Sequence, residues 1–392
     1  MTNTNSTKGF QDFTGAQASK REKIIKIIQK QFGLYGFSPA ETPIIEFEDF
    51  VKGSNSNDEA VRDIFKLTDR GKRKLALRYE FTFQLKRLAN NKKLPFKRYQ
   101  IGEVFRDEPI RQGRTRQFIQ ADADIVGSTI KDEAELLSLS KNIFENLKIP
   151  VKIYINNRKL INEILVSEKV EERNREQAIR EIDKLDKLSK KEVADNLKKL
   201  GVEKLVNIFG MEEKFFEKYQ YYEEIKELKK YCKNYGVNVE FKPFLARGFS
   251  YYNGSVFEIW SKELNASLAG GGSYLINNVQ STGISFGIEP IFLLTKIEGD
   301  ATDILIISLE QDKSAINLAE KLRGKGISAV LLLDKTIGKA MEYANSQKIK
   351  KAIIMGQEEA KKKKFKLKDM ESGKEEFLSE SELEGRLRNK KI

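Results

Sequence analysis

The apolar positions of residues 16–35, "AQASKREKIIKIIQKQFGLY", fall at helical spacing. Ile24, Ile25, Ile27, Ile28 and Phe32 share one side, and Gly36 closes the pattern. "GFSPAETPII" then turns into an extended piece through Pro39 and Pro43. Residues 75–77 and 98–105 read as strands, with a helix, "TFQLKRLANN", between them. In "FIQADADIVG" the polar side chains alternate, which puts Gln120, Asp122 and Asp124 on one face of a strand. A helix over 131–146 and a strand, "VKIYINN", follow. Residues 158–236 are rich in Lys and Glu, lack proline and read as a helical insertion. Within it "EEIKELKKYCKNYG" sets Ile225, Leu228, Cys232 and Tyr235 on one stripe and ends on Gly236. Residues 237–297 return to strand-like text, "VNVEFKPF", "YYNGSVFEIW" and "SLAGGGSYLI", closed by a helix over 287–297.

After "EGDATD" the pattern becomes β-α-β-α. "ILIISL", "ISAVLLL" and "KAIIMG" are short buried strands, separated by the helices "QDKSAINLAEKLRGKG" and "TIGKAMEYANSQKI". A hairpin turning at Ser372–Gly373 and a helix from 380 complete a separate small α/β domain with a mostly parallel sheet. The lysine run Lys361–Lys364 reads as a solvated loop.

Composition narrows the function classes. A chain of 392 residues, 40% of them apolar, suggests two or three domains with real cores. Lys and Arg exceed Asp and Glu by 71 to 58, a net charge of +13. That excess favours a polyanionic partner, nucleic acid first, against an equal alternative of a generic basic soluble protein. The single cysteine, Cys232, excludes an internal disulfide and a cysteine metal cluster. The start, "MTNTNSTKGF", lacks the apolar stretch of a secretory signal, and no apolar run is long enough to span a bilayer. The expectation is a soluble, cytoplasmic protein with no membrane partner. The chain contains no histidine. Catalytic triads, histidine-ligated metals and imidazole proton switches are therefore closed to it.

The chemistry concentrates in "EVFRDEPIRQGRTRQFIQADADIVG", residues 103–127. Arg106 sits on a strand, a loop carries Arg111, Gln112 and Gly113, and the return strand carries Arg114, Arg116 and Phe118. Guanidinium forks on a rigid hairpin suit phosphate oxygens, which they hold two at a time. Phe118 is placed to stack on a purine, and Asp124, deeper on the strand, to accept from a second ligand. Taken alone, the segment fits a surface hairpin of ion pairs as well.

That stretch, with "LRYEFT" (77–82) and "ARGFSYYNGSVFE" (246–258), resembles the histidyl-tRNA synthetases, a class II aminoacyl-tRNA synthetase family. "GFQDFTG" (9–15) is similar to the family's start, and "GFSPAETPIIE" to its motif 1. "IDKLDKLSKKEV" resembles part of its insertion, and the last α/β unit its anticodon-binding domain. The resemblance runs along essentially the whole chain. It implies an α+β fold: a class II antiparallel sheet flanked by helices, with a helical insertion and a C-terminal α/β anticodon-binding domain. The implied boundaries are 1–157 and 237–299 for the catalytic core, 158–236 for the insertion and 300–392 for the anticodon-binding domain.

The implied activity is ligation of L-histidine to tRNA(His) through histidyl-adenylate, with ATP as substrate, Mg²⁺ beside it and a homodimer as the assembly. The resemblance implies Glu80 for the α-ammonium group, with Phe81 and Thr82 beside it, and Gln120 for the amino-acid backbone. It implies Asp124 and Tyr252 for the two imidazole nitrogens, with Tyr251 adjacent. Arg106 would hold the α-phosphate and the carboxylate, and Arg247 would be the second catalytic arginine. Phe118, Glu108 and Arg114 would contact ATP, and Arg111 and Gln112 the acceptor end of tRNA. No metal ligands are implied. Gly270–Gly272 reads as close backbone packing near the pocket floor, and Asp122 as an acid behind the pocket. The chain departs from the family at four places. Pro290 stands where motif 3 supplies an arginine to ATP, Ser250 where the family has aspartate, Ser273 where it has arginine, and Ile119 where it often has histidine. These leave an alternative, a catalytically impaired paralogue serving as a regulatory or RNA-binding protein.

Overall fold

The computed structural model of the protein describes residues 4–53, 59–247, 251–264, 266–300, 302–362 and 364–388. The chain forms two units, Met1–Asp12 with Ile24–Ile297, and Phe13–Lys23 with Glu298–Ile392.

The first unit is built on an eight-stranded sheet. Its order is Ser38–Pro39, Phe96–Phe105, Gln117–Val126, Val279–Gly287, Ala266–Ile276, Tyr252–Ser261, Lys152–Asn157 and Glu240–Phe241. The six inner strands are antiparallel, as expected. The two short edge strands join in parallel. A parallel neighbour needs a long crossover connection. The segment from Glu41 to Pro95 supplies one, and the helices after Asn157 supply the other.

Helices Gly15–Leu34 and Ile130–Asn146 supply apolar stripes to the core of this sheet. From the first helix Ile24, Ile28 and Phe32 are fully buried, and the Phe32 ring lies 5.2 Å from Tyr99 and 6.0 Å from Phe286. The second starts cleanly because the Thr129 amide and hydroxyl both donate to Asp132, at 2.7 and 2.8 Å. Between the two outermost strands on the far side run the helices Arg158–Ser167, Glu172–Ile182, Lys190–Lys198, Leu205–Phe209 and Tyr222–Asn234. They bury their stripes in the same core. Helix Tyr222–Asn234 buries Ile225, Leu228 and Cys232 against helix Ile130–Asn146. Tyr235, expected on that stripe, is 46% exposed, because the helix has ended one residue earlier and the chain turns at Gly236.

The second unit has a five-stranded sheet in the order Ala329–Leu332, Ile304–Ser308, Lys351–Met355, Lys364–Asp369, Glu375–Ser379. Its first three strands are parallel, and the closing hairpin adds two antiparallel ones, so the sheet is mixed. Lys361 and Lys362 end a short helix, Gln357–Lys362, and Lys364 opens a strand, where a loop was expected. Lys363 lies outside the described residues. No helix among the described residues is long and apolar enough to cross a membrane.

Glu133, on helix Ile130–Asn146, is 6% exposed and lies beside the hydroxyls of Ser255 and Ser273, with its Oε2 making no hydrogen bond. Burial pushes its pKa up to about 7, against those hydroxyls. Serine at 273 offers a hydrogen bond where the resembling family has a guanidinium. The folded pKa lies above the ordinary value of 4.5, so this carboxyl's contribution to stability is whole below pH 4.5 and is lost as pH rises through 7. Glu133→Gln should therefore stabilise the protein at pH 8 by up to about 3 kcal/mol. The advantage should vanish near pH 4.5, as urea unfolding at the two pH values would show.

Candidate active site

The strands Phe96–Phe105 and Gln117–Val126 form the arginine hairpin, and its tip closes in a tight turn. Arg111 and Arg114 exchange backbone hydrogen bonds at 3.1 and 2.9 Å, with Gly113 at φ +73°. Beneath this turn the sheet face opens into a cavity of about 220 Å³. The hairpin gives Arg106, Glu108, Gln112, Arg114, Phe118 and Gln120 to its wall. Glu80 enters from the segment before helix Thr82–Leu88, and Arg247, Tyr251 and Tyr252 from the approach to strand Tyr252–Ser261. The strand with the glycine run forms the floor through Ala269 and Gly270, and helix Ile288–Leu294 adds Glu289 and Pro290.

Arg106 and Arg247 are both held in place. The Arg106 guanidinium donates to the Tyr79 carbonyl at 3.1 Å and to Gln120 at 3.3 Å, and lies 5.1 Å above the Phe118 ring. One face of Phe118 is thus covered by a cation. Glu80 is 4% exposed and accepts from the Tyr251 hydroxyl at 3.3 Å and from Thr82. Burial raises its pKa to about 7, with Arg106 pulling it down and Asp124 pushing it up. Arg247 lies at the back, its Nη1 2.7 Å from Glu258, whose other oxygen takes the Trp260 indole N–H at 2.6 Å. Burial opposes the Arg247 charge, but Glu258, Tyr252, Asp183 and Tyr251 together outweigh it and the net shift is upward.

Behind the cavity lies a second buried layer. Asp124 faces Arg98 across the strand pair, and their side chains meet at 3.0 Å, both almost fully buried. The Tyr274 hydroxyl donates to the other oxygen of Asp124. Asp122 accepts from Gln120 at 3.1 Å and hydrogen-bonds Ser285. Burial, then the neighbouring Asp124, pushes Asp122 up to about 8.

Among the residues that the sequence put in the site, Glu80, Arg106, Glu108, Gln112, Arg114, Phe118, Gln120, Arg247, Tyr251 and Tyr252 line this one cavity. Phe81 does not: its ring is fully buried, with the Arg78 guanidinium 4.8 Å above it, and its carbonyl accepts from Arg98. Thr82 stands behind Glu80, and Asp124 is enclosed by Arg98 and Tyr274. Arg111 is exposed at the hairpin tip, outside the lining. Gly248, Phe249 and Ser250 lie outside the described residues. The residues that sequence reasoning missed are Arg98, Asp183, Glu258 and Tyr274. Tyr274 carried one signal, since it follows the glycine run within "GGGSY". The others depend on strand register and on chain folded back from elsewhere.

The glycine run is a packing device. A Cβ on Gly270 would run into the Arg247 guanidinium, and one on Gly271 into the Gly283 carbonyl of the neighbouring strand. Gly270→Ala should therefore displace Arg247 from Glu258. Trp260 is the only tryptophan and is bonded to the same carboxylate. Its fluorescence should shift in this variant while far-UV circular dichroism stays the same.

A histidyl-tRNA synthetase family model matches residues 9–291, and an anticodon binding domain model matches residues 303–390. A histidine–tRNA ligase of Shouchella clausii is 34% identical over 95% of this chain and 97% of its own. One of Nanoarchaeum equitans is 33% identical over 90% of this chain and 91% of its own. The crystal structure of histidyl-tRNA synthetase from Nostoc sp. PCC 7120 superposes with a TM-score of 0.86 at 24% identity, over 99% of this chain and 100% of that one.

Proposed function

The chain belongs to the histidyl-tRNA synthetase family, and we propose that it carries out that family's ligation in this cavity. L-Histidine and ATP give histidyl-adenylate and pyrophosphate, and the histidyl group then passes to a hydroxyl of tRNA(His) as AMP leaves with the bonding pair. The observation that carries this reading is the meeting, in one cavity, of an ammonium site and two arginines of separate origin.

The first step is a displacement at phosphorus. The histidine carboxylate attacks the α-phosphorus, and pyrophosphate leaves with the bonding pair. The nucleophile is already ionised, so no general base is needed and catalysis rests on position and charge. A chain without histidine can do this. Glu80 takes the α-ammonium group, and the incoming charge favours its ionised form. Gln120 orients the amino-acid backbone. Arg106 bridges the carboxylate and the α-phosphate, and Arg247 meets the charge developing opposite it. Adenine stacks on the face of Phe118 that Arg106 leaves open. Tyr252 reads the imidazole from the cavity wall, and Asp124, enclosed behind it, joins only by releasing Tyr274 or Arg98. Arg111 and Gln112, at the hairpin tip, meet the acceptor end of tRNA.

Mg²⁺ comes as the counter-ion of ATP. Among the described residues no group of three candidate ligands is gathered to hold a metal alone. Glu258 is bound to Arg247, and Glu289 takes the Ile119 N–H with both oxygens at 3.2 Å. Glu108, 3.6 Å from Arg114 at the mouth, is the carboxylate best able to turn towards a metal–phosphate.

The domain limits follow the same reading, with 1–157 and 237–299 catalytic, 158–236 inserted and 300–392 for the anticodon. Ile45 and Phe47, 49% and 58% exposed on a small sheet in the motif 1 region, favour a homodimer there. The place of work is the cytoplasm. Neither the cavity nor the relatives favour the impaired paralogue.

Histidine-dependent ATP–pyrophosphate exchange tests the reading, and a folded chain without it would overturn it. Arg247→Ala should slow exchange by roughly 100-fold, with histidine affinity by calorimetry little changed.

Pro290 replaces the motif 3 arginine, and the cations of the cavity wall are Arg106, Arg114 and Arg247. Arg114 is 60% exposed and loosely paired, so it can swing onto the phosphates. A Cβ on Gly113 would stand 3.7 Å from Pro290, so an arginine at 290 would push under the loop beside like charges. Pro290→Arg should give no gain in ATP affinity, measured as the KM for ATP in exchange.

A further inference from the structure

Arg247 has an unusual backbone. Its φ is +64°, in the left-handed region that residues with a Cβ rarely occupy. The guanidinium is fixed by Glu258 and rests over Gly270, but neither contact holds the backbone. What does is a carboxylate from the helical insertion. Asp183 Oδ1 accepts the Ala246 N–H at 2.9 Å and the Arg247 N–H at 3.2 Å.

Asp183 ends helix Glu172–Ile182 and opens a single 3-10 turn, Asp183–Asp186, from the sequence "DKLD". Three residues make one turn of such a helix, so the two aspartates lie on the same side. The second, Asp186, is 3.3 Å from Lys242, whose ammonium lies 4.9 Å from the Tyr154 and Phe244 rings and 5.0 Å from Trp260. One turn of the insertion thus grips both ends of segment 242–247. Asp186 holds the near end, and Asp183 the end that carries the arginine.

We propose that Asp183 is a positioning residue for the reaction: it holds the Arg247 backbone in the left-handed conformation that aims the guanidinium at the α-phosphate. This rests on Arg247 acting in adenylate formation. The insertion is then part of the catalytic machinery through a hydrogen-bond acceptor, besides any contact it makes with tRNA. Burial pushes the Asp183 pKa up and the Ala246 N–H pulls it down. An acceptor of the same shape does the same work without charge, so asparagine can replace it.

Three variants of the full-length chain test this. Asp183→Ala should lower kcat of histidine-dependent exchange 10- to 100-fold, with the calorimetric Kd for histidine within threefold of the parent. Asp183→Asn should stay within threefold on both. Asp186→Ala, which loosens the same turn without touching Arg247, should lower Tm and keep kcat. Parental kcat in Asp183→Ala would overturn the proposal, as would an equal loss in Asp186→Ala or in Asp183→Asn. Hydrogen–deuterium exchange at the Ala246 and Arg247 amides separates this inference from the functional reading. Those amides should exchange faster in Asp183→Ala and at the parental rate in Asp183→Asn. If the parent chain has no exchange activity, the functional reading fails. Unchanged amide protection in Asp183→Ala would sink the positioning role whatever the activity.

Discussion

A charge taken out of water must find a partner, and this site is a set of answers to that demand. Arg98 and Asp124 meet inside the sheet at 3.0 Å, with almost no exposure on either. Arg247 and Glu258 meet at the back of the cavity at 2.7 Å. Glu80 has no such salt bridge, and its pKa rises towards neutrality. It is the acid at which a cationic ligand group gains most, because that ligand supplies the missing charge. Glu80 is thus a cavity acid without a salt bridge, beside Arg106 and Arg247.

The backbone makes room for those charges. The arginine lies against the sheet because Gly270 has no side chain, and the strands approach because Gly271 has none to meet the Gly283 carbonyl, while Gly272 faces Gly283 across the ladder. The same sheet sets Arg98 opposite Asp124 by register. Rigid strands with fixed guanidinium groups suit a reaction whose nucleophile needs no deprotonation, which is why the absence of histidine leaves the chemistry intact.

The two kinds of departure from the family sit differently in the fold. Ser273 sets a hydroxyl beside the buried carboxyl of Glu133, a matter of stability away from the cavity. Pro290 lies in the cavity wall under the hairpin turn, where Gly113 closes down on it.

Much was legible in the linear chain because it depends on neighbours in sequence. The stripe Ile24, Ile28, Phe32 follows from a period of 3.6, and Gln120, Asp122 and Asp124 share a face from a period of two. The arginine hairpin and the tyrosine pair are local motifs, and eight of the residues they named line one cavity with Glu80 and Arg247. Tertiary structure decided the rest. Which strand lies beside which put Arg98 against Asp124 and enclosed that acid, and neither follows from a period along the chain. The parallel edges depend on where the crossovers land. The grip of Asp183 on Arg247 joins residues 64 apart. Periodicity says which face a side chain takes, but only packing says what it meets there.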